Sequence, residues 1–421
     1  MKVLVIATQR TALGGRISIA LAEVGFRVAA LTPHGHPVRW TCKIQDHFGW
    51  HVRPRLKSII RAIERWSPDL LVCADDLAVS KLQALHRRMA ASDDKARRYI
   101  CELIESSLGP APSFRATHNK SDFFARVQIE GLRSPKTVAM PAGRPFASVP
   151  AEIIYPIVVK ADHSYGGLCV RIVNRASNLR ATVWELQTPA TLRGTFRRLF
   201  GAILGSGALG RLRLQLVRTV SLQQLIPGRP GNRAVVCWRG KVLAGISVEV
   251  VEVTHTHGPA SVIRVIDHPG MALAAERMVK CLDLSGFVGF DFILDSSDQA
   301  WLIEMNPRVT PSCHFCLADG TNLVGPLYRQ LTGLQPLPNL PPINSDLIAL
   351  FPNEILRCPS SGYLRSCHHD VPWNEPKLVC HVLSQALRTR LRRRVWTSLE
   401  DHLPAVARAL VTVGLVDPRS S

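Results

Sequence analysis

The chain has 421 residues, of which 46% are hydrophobic, so it is long and apolar enough for two to four domains or subdomains with real cores. Its 52 basic and 32 acidic residues give a formal charge of +20, which suits nucleic acid, anionic lipid or nucleoside triphosphates. An arginine-rich background composition explains that charge equally well. The composition excludes collagen-like and extensively disordered chains.

From the sequence we expect neither a targeting segment nor a membrane span. The start, "MKVLVIA", has a short apolar run that continues into a polar turn, so we expect no signal peptide. No apolar stretch reaches the roughly 18 residues of a membrane-spanning helix. Among eleven scattered cysteines, "CHFC" (313–316) lacks a second pair of ligands, so we expect no zinc site. We therefore expect a cytoplasmic protein without a membrane span.

Strands and helices alternate in the first hundred residues. The stretch "KVLVIA" (2–7) predicts a buried strand, and "RISIALAEVGF" (16–26) predicts an amphipathic helix. Further strands are predicted at 27–31 and 69–76. This spacing predicts a parallel sheet with helical crossovers, and therefore the α/β class. The first turn contains two glycines but lacks the G-x-G-x-x-G spacing of a dinucleotide site.

Proline-rich stretches at 108–114 and 334–342 predict two domain boundaries. Between them the pattern predicts a helix and strand over 119–140 and then a strand, a glycine loop and a strand over 156–173. Further along, it predicts strands over 220–251, a helix over 272–284 and a β-hairpin over 286–306.

The hairpin carries polar residues that an ordinary buried strand would lack. Glu304 and Asn306 alternate along "WLIEMN" and therefore share a face. If the loop is "SSDQ", Asp295 lies opposite Ala300, and Asp291 lies opposite Glu304 with Cβ atoms about 5 Å apart. Two close carboxylates repel unless a cation lies between them, and hard oxygen ligands suit Mg²⁺ shared with phosphates. A solvated hairpin face with chance acids is the alternative.

A lysine precedes a glycine turn in "VVKADHSYGGLCV". Lys160 ends an apolar strand, and Ser164, Gly166 and Gly167 follow it. Glycines let backbone N–H groups approach an anion, and lysine adds a positive charge. This pattern is typical of a phosphate cover without the Walker spacing, although an ordinary hairpin would also satisfy it.

Taken together, these segments resemble the ATP-grasp superfamily, in its carboxylate–amine or carboxylate–thiol ligase-like members. The resemblance covers roughly 119–332, and "GFDFILD…WLIEMNPR" is its most specific part. The fold it implies is α/β, with an N-terminal parallel-sheet domain (1–112) before a two-subdomain α+β grasp module. The expected subdomains are 113–222, with the lysines and the glycine loop, and 223–335, with the metal hairpin. A partly helical C-terminal extension (336–421) follows.

The resemblance implies a nucleotide and metal site. Asp291, Glu304 and Asn306 would hold one or two Mg²⁺ ions, with Mn²⁺ as a substitute. Lys120 and Lys160 would contact the phosphates, and Lys160 would also lie near the adenine. The backbone of Gln224 and Ile226 would meet the adenine edge. The full ATP-binding set would be Lys120, Lys160, Ser164, Gly166, Gly167, Gln223, Gln224, Leu225 and Ile226.

The implied activity is that of an ATP-dependent ligase. It would activate a small-molecule carboxylate as an acyl phosphate and join it to an amine through a C–N bond, releasing ADP and phosphate. Arg308 and Lys160 would be catalytic, and Arg308 would bind the acceptor. Arg233 and Arg264, embedded in apolar strands, are further substrate candidates, with surface-facing arginines as the alternative. The family's usual acidic ribose contact is missing from "GRPGNR"; Asn232 could replace it, or the ribose could be held elsewhere.

Two other classes stay open. A non-catalytic nucleotide-binding or regulatory protein could keep the fold without turnover. A basic nucleic-acid-binding protein could use the run "RTRLRRR" (388–394), but this run lacks interleaved aromatic residues, so nucleic acid is not the expected partner. A homodimer is compatible with the sequence.

Overall fold

The computed structural model describes residues 1–51, 55–91, 94–140, 153–161, 170–187, 219–256 and 258–393, without the side chains of residues 55, 118 and 389–393. The chain forms two compact units. The first comprises Met1–Phe114, Pro230–Phe292 and Met305–Ser421, and the second comprises Arg115–Arg229 and Ile293–Glu304. The four-part division expected from the sequence stays a prediction.

The first unit begins with the predicted parallel sheet. Its strands run in the order β3-β2-β1-β4 and pair in parallel. Val3 and Val5 enter one hydrophobic core while Leu4 and Ile6 enter another, so the first strand is apolar on both faces. The α/β class is confirmed. The strands are β1 (Lys2–Ile6), β2 (Arg27–Thr32), β3 (Asp46–Gly49) and β4 (Leu70–Cys73).

Four helices accompany this sheet: α1 (Leu13–Glu23), α2 (Arg55–Trp66), α3 (Asp76–Met89) and α4 (Lys95–Leu108). Helix α1 begins three residues before the predicted start, and its first turn contains Gly14 and Gly15. A Cβ on Gly14 would lie 2.9 Å from the Cβ of Ala7, and one on Gly15 would lie 3.2 Å from Leu378. Glycine therefore permits close packing of the helix here.

The second unit is built on a four-stranded antiparallel sheet in the order β5-β8-β6-β7. One face of the sheet packs against α7 through apolar residues such as Val159, Leu222 and Val183. The elements are α5 (Phe114–His118), α6 (Lys120–Ile129), β5 (Thr137–Met140), β6 (Ile157–Ala161), β7 (Val170–Val173), α7 (Ala176–Gln187) and β8 (Val220–Gln224).

The largest sheet has seven strands in the order β13-β12-β9-β10-β11-β14-β15. Strand β14 pairs with β11, and β15 pairs with β14, so part of the C-terminal extension completes this sheet. The strands are β9 (Arg229–Trp238), β10 (Lys241–Val253), β11 (Ala260–Ile266), β12 (Gly286–Leu294), β13 (Ala300–Asn306), β14 (Leu347–Leu350) and β15 (His368–Asp370). The remaining helices are α8 (Pro269–Cys281), α9 (Val324–Thr332), α10 (Asn353–Arg357), α11 (Tyr363–Ser366) and α12 (Pro376–Arg393).

A buried charged cluster joins β15 of the C-terminal extension to α1 within the first unit. Arg16 in α1 forms an ion pair with Asp370 in β15, and His314 Nε2 lies 2.9 Å from Asp370 Oδ1. Burial would raise the pKa of Asp370, but Arg16 and His314 hold that pKa below its usual value. None of the helices in the described part of the chain is both long and apolar enough to cross a membrane.

Candidate active site

Three side chains meet at the end of the hairpin formed by β12 and β13. Asp291 in β12 accepts a hydrogen bond on Oδ2 from Asn306 Nδ2 of β13, at 2.9 Å. Its other oxygen, Oδ1, accepts from Asn232 Nδ2 of β9, at 2.7 Å. The structure thus brings together two of the three residues expected to bind a metal, and it adds an asparagine that the sequence analysis had linked only to the ribose.

A glycine in β12 allows neighbouring side chains to pack closely around Asp291. A Cβ on Gly289, two residues before Asp291 on the same face of β12, would lie 2.3 Å from Thr310 Cγ2 and 3.3 Å from Asn232 Nδ2. Real side chains do not approach that closely, so any larger residue would displace Thr310 or Asn232. A glycine inside a strand often marks such a close approach of neighbouring groups.

Arg308 continues the same row of polar groups. Its Nη2 donates to Asn306 Oδ1 at 3.1 Å, and its Nε donates to Asp76 Oδ1 at 2.8 Å. The arginine side chain is 18% exposed, so its charge is partly removed from water. Hydrogen bonds between charged groups are among the strongest in proteins, so this pair holds the guanidinium in one direction.

The row ends at the carboxyl edge of the N-terminal parallel sheet. The N–H of Val309 donates to the carbonyl of Cys73, the last residue of β4, at 3.0 Å. Buried Asp75 caps α3 and also accepts from the Thr8 N–H and hydroxyl, at 2.5 and 2.7 Å. Thr8 follows β1, so the loops after β1 and β4 are joined here. Ligands of open α/β sheets bind at such an edge, where the strand order reverses.

Glu304 lies in the second unit, where it has a different neighbour. Its Oε1 is 3.4 Å from Nζ of Lys120, the first residue of α6. The sequence assigned Glu304 to the metal and Lys120 to the phosphates. A carboxylate and an ammonium group attract each other at this distance, so Lys120 and Glu304 form an ion pair.

The hairpin turn differs from the expected register. The N–H of Asp295 donates to the carbonyl of Gln299, not to that of Ala300, at 3.1 Å. Asp298 adopts φ +57 and closes a three-residue loop. A regular ladder from this turn would place Asp291 and Asn306 on opposite faces, whereas their side chains are hydrogen-bonded. The hairpin is therefore irregular between its turn and Asp291, and the predicted "SSDQ" register is wrong.

Lys160 and Gln223 share one face of the second unit's sheet. Lys160 pairs with Ser221, and Gln223 lies two residues further along β8. Both side chains are buried, and Gln223 Nε2 donates to Thr137 Oγ1 at 3.0 Å. The opposite face is the apolar one that packs on α7. Strand alternation therefore gathers the polar residues of this sheet on a single face.

The end of β8 and the segment after it contain the backbone groups that the sequence analysis expects to meet the adenine. The N–H of Gln224 donates to the carbonyl of Lys136 at 2.8 Å. The reciprocal bond is not made, because the Lys136 N–H turns to the side-chain Oε1 of Gln224 at 3.3 Å. The Gln224 carbonyl is thus not used by Lys136, and the partly buried Leu225 and Ile226 follow the strand. Ser164, Gly166 and Gly167 lie outside the described residues.

Arg233 and Arg264 project from one face of the large sheet, and Asn232 and Asp291 project from the other. Asn232 and Arg233 are consecutive in β9, so only Asn232 faces Asp291. Arg233 Nη1 donates to Ser247 Oγ at 2.8 Å, and burial lowers the pKa of Arg233. Arg264 Nη1 lies 2.9 Å from Glu249, which is Arg264's register partner in β10.

Sequence reasoning missed two residues of this site, Asn232 in its present role and Asp76. A signal existed for Asp76, because "CADD" ends a parallel strand, where polar residues commonly contact ligands. No signal existed for the Asn232–Asp291 bond, because it depends on which strand β12 pairs with.

The donor chemistry of the hairpin fits a hard divalent cation. Asp291 offers a carboxylate, and the adjacent Asn306 offers an amide oxygen after rotation of its amide; both are ligands that Mg²⁺ accepts. In the described ranges no group of three or more His, Cys, Asp or Glu side chains could hold a metal by itself. The expected set differs from such a group, because it includes an amide and the phosphates of a ligand.

Comparisons with known proteins identify the fold. Residues 210–312 match the family described as ATP-grasp domain. The ADP complex of purK, N5-carboxyaminoimidazole ribonucleotide synthetase, is 15% identical, with a TM-score of 0.55 over 80% of this chain and 79% of that one. L-amino acid ligase from Bacillus licheniformis is 12% identical, with a TM-score of 0.52 over 80% and 74%.

A third structure is the biotin carboxylase domain dimer of Hydrogenobacter thermophilus 2-oxoglutarate carboxylase, with MgADP, ADP and bicarbonate. It is 15% identical, with a TM-score of 0.53 over 79% of this chain and 70% of that one. No curated protein matches the chain by sequence. The chain has the ATP-grasp fold. The resemblance to the ATP-grasp superfamily inferred from "GFDFILD…WLIEMNPR" is confirmed.

Proposed function

We propose that this protein is an ATP-dependent ligase that activates a carboxylate with Mg-ATP and joins it to an amine, releasing ADP and phosphate. The observation that carries the proposal is the hydrogen-bonded row Asp291–Asn306–Arg308 at the end of an ATP-grasp hairpin. In this row, oxygen donors for a cation stand directly beside a guanidinium that can hold an anionic acceptor.

The metal would be held by Asp291, Glu304 and Asn306, as the sequence pattern predicts. One or two Mg²⁺ ions, or Mn²⁺ in their place, would neutralise charge on the triphosphate. The support is chemical, because carboxylate and amide oxygens are the ligands such ions prefer. Asp291 and Asn306 are already in contact, so the Asn306 amide would turn towards the ion, and Glu304 would exchange Lys120 for the ion.

The nucleotide would be held by the second unit's polar sheet face and the segment after it. Lys120 and Lys160 would contact phosphates, and the glycine loop of Ser164, Gly166 and Gly167 would cover them. The Gln224 carbonyl would accept from the adenine amino group, which is consistent with its not being used by Lys136. The Ile226 N–H would donate to the ring, with Gln223 and Leu225 beside it.

The reaction needs two anions brought together. Arg308 would orient the acceptor, so that a carboxylate oxygen attacks the γ-phosphorus and the bond to ADP breaks. The amine nitrogen would then attack the acyl carbon, lose a proton and expel phosphate. Lys160 would stabilise charge on the transferred group. Arg308 is the first candidate for the acceptor contact, because Arg233 and Arg264 face away from Asp291.

The test is a matrix of small acids and amines, with bicarbonate and amino acids among the acids, incubated with ATP and Mg²⁺. We expect one phosphate and one ADP per product, and only when both an acid and an amine are present. Glu304→Ala and Asp291→Ala should abolish release, whereas Glu64→Ala, at an exposed position of α2, should leave it unchanged.

Two outcomes would contradict the proposal. Wild-type turnover by Glu304→Ala would show that the ligand assignment is wrong. Mg-dependent ADP binding without phosphate release for any acid would favour the non-catalytic nucleotide-binding alternative. A homodimer stays a prediction, and sedimentation of the same preparation would test it.

A further inference from the structure

Asn232 has no part in the function proposed above, yet its hydrogen bond to Asp291 is shorter than the one that Asn306 makes. Its Nδ2 lies 2.7 Å from Asp291 Oδ1, compared with 2.9 Å for Asn306 on Oδ2. Each amide therefore contacts a different oxygen of the carboxylate. Asn232 comes from β9, a different strand from the hairpin that carries the expected ligands.

The position of Asn232 on β9 makes a polar residue unexpected. Alternation places Asn232 on the same face as Ala234 and Val236, which are buried, and its register partner in β10 is the buried Val248. An amide in such a row costs free energy unless it is hydrogen-bonded. The bond to Asp291 supplies that partner, so Asn232 is explained by the carboxylate that it contacts.

The packing around Asn232 also restricts its side chain. Gly289 in β12 leaves room for the amide, because a Cβ there would lie 3.3 Å from Asn232 Nδ2. The same Cβ would overlap Thr310, so the region is crowded on both sides. A confined amide of this kind can hold a carboxylate in one orientation.

We propose that Asn232 is a positioning residue, which holds Oδ1 of Asp291 and leaves Oδ2 for a divalent cation. This inference rests on the proposed function, because it assumes that Asp291 is a metal ligand. The two amides then differ in role. Asn306 would leave Oδ2 and offer its own oxygen to the ion, whereas Asn232 would keep its bond. Hydrogen-bonding partners of metal ligands typically contribute about 10–100-fold to metal affinity.

The test measures Mn²⁺ affinity by calorimetry at saturating ADP, on the full chain. Asn232→Ala should raise the dissociation constant of Mn²⁺ about 10–100-fold, while the affinity for ADP without metal stays within about twofold. The matched control is Asn353→Ala. Asn353 Nδ2 also makes a 2.7 Å bond, to the carbonyl of Ala260 in β11, three strands from β12. We expect less than a twofold change for this control.

A second variant tests whether the side chain at position 232 lies beside the cation. Asn232→Asp places a carboxylate where the donor stood, so melting without metal should occur at a lower temperature. Mn²⁺ with ADP should then raise the melting temperature more than in the wild type, because the new oxygen is also a hard ligand. An unchanged response to Mn²⁺ would show that the side chain at position 232 does not lie beside the cation, and it would overturn the positioning role. If Asn232→Ala does not fold, Asn232→Ser takes its place in the calorimetry.

The outcomes distinguish this inference from the proposed function. If wild-type protein binds ADP without any dependence on Mn²⁺ or Mg²⁺, both are overturned. If the wild type needs the cation but Asn232→Ala and Asn232→Asp bind Mn²⁺ with wild-type affinity, the positioning role alone is overturned.

Discussion

Lys120 Nζ lies 3.4 Å from Glu304 Oε1, and this pair joins the start of α6 to strand β13. The sequence pattern assigns one partner to the phosphates and the other to the metal. In the structure each neutralises the other. A triphosphate and a cation would offer each residue a stronger partner, so the pair would be exchanged for ligand contacts.

Removing the lysine should therefore affect binding more than stability. The two side chains are 18% and 33% exposed, and such pairs contribute about 0–1 kcal/mol. We expect Lys120→Met to lower the free energy of unfolding by less than about 1 kcal/mol in urea titrations. The KM for ATP should rise about tenfold or more, because a charged phosphate contact is lost. The control is Lys136→Met, at an exposed lysine in the same unit, and equal KM values for both variants would contradict the assignment.

The crowding at Gly289 predicts a loss of stability in Gly289→Ala that a second substitution should partly restore. Gly289→Ala would place a methyl group 2.3 Å from Thr310 Cγ2, and overpacking of this kind costs about 1–3 kcal/mol. We expect a loss of about 2 kcal/mol in the free energy of unfolding. The added substitution Thr310→Ser removes Cγ2 and keeps the hydroxyl, so the double variant should recover about half of that loss. Additive losses would show that the clash is not the cause.

Periodicity predicted much of this architecture. Alternation predicts which residues share a face within β6 and within β8, but the pairing that brings Lys160 beside Gln223 comes from the structure. The strand–helix alternation of the first hundred residues predicted the parallel sheet, because each βα unit is local in sequence. The shared face of Asp291 and Asn306 was also anticipated, although the register used to derive it was wrong.

The remaining contacts depend on features that local patterns do not contain. Asp298 occupies a left-handed position that glycine usually fills, so "SSDQ" gave no reason to expect a three-residue loop. The Asn232–Asp291 bond depends on β9 lying beside β12, and its two partners are 59 positions apart. The Arg308–Asp76 pair joins residues 232 positions apart, and nothing in either segment identifies the other.

Arg308 should not tolerate replacement by lysine. Its Nε and Nη2 reach Asp76 and Asn306 at the same time, whereas a lysine has one nitrogen and no planar fork. We expect Arg308→Lys to lower kcat/KM for the acceptor acid by about 100-fold, which corresponds to about 2.7 kcal/mol of transition-state stabilisation. The KM for ATP should change little. Arg239→Lys, at an exposed position, is the control, and a comparable loss in Arg264→Lys would move the acceptor site to the opposite sheet face.

The buried side chain of His36 should make the free energy of unfolding depend on pH. Its Nε2 donates to the Gln9 carbonyl at 2.7 Å, its Nδ1 accepts from the Val38 N–H, and burial lowers its pKa to about 4. Because the folded pKa is below the unfolded value of about 6.5, this contribution is complete above pH 6.5 and is lost as pH falls towards 4.

Between pH 7 and pH 5, His36 should therefore account for a loss of about 2 kcal/mol in the free energy of unfolding. His36→Phe should be less stable than the wild type at pH 7, since both hydrogen bonds are lost, but its stability should fall less over this range. Urea titrations at several pH values measure the difference in slope. His34→Phe, at an exposed neighbouring histidine, should keep the wild-type slope. The same slope in His36→Phe as in the wild type would show that His36 is not the group that takes up the proton.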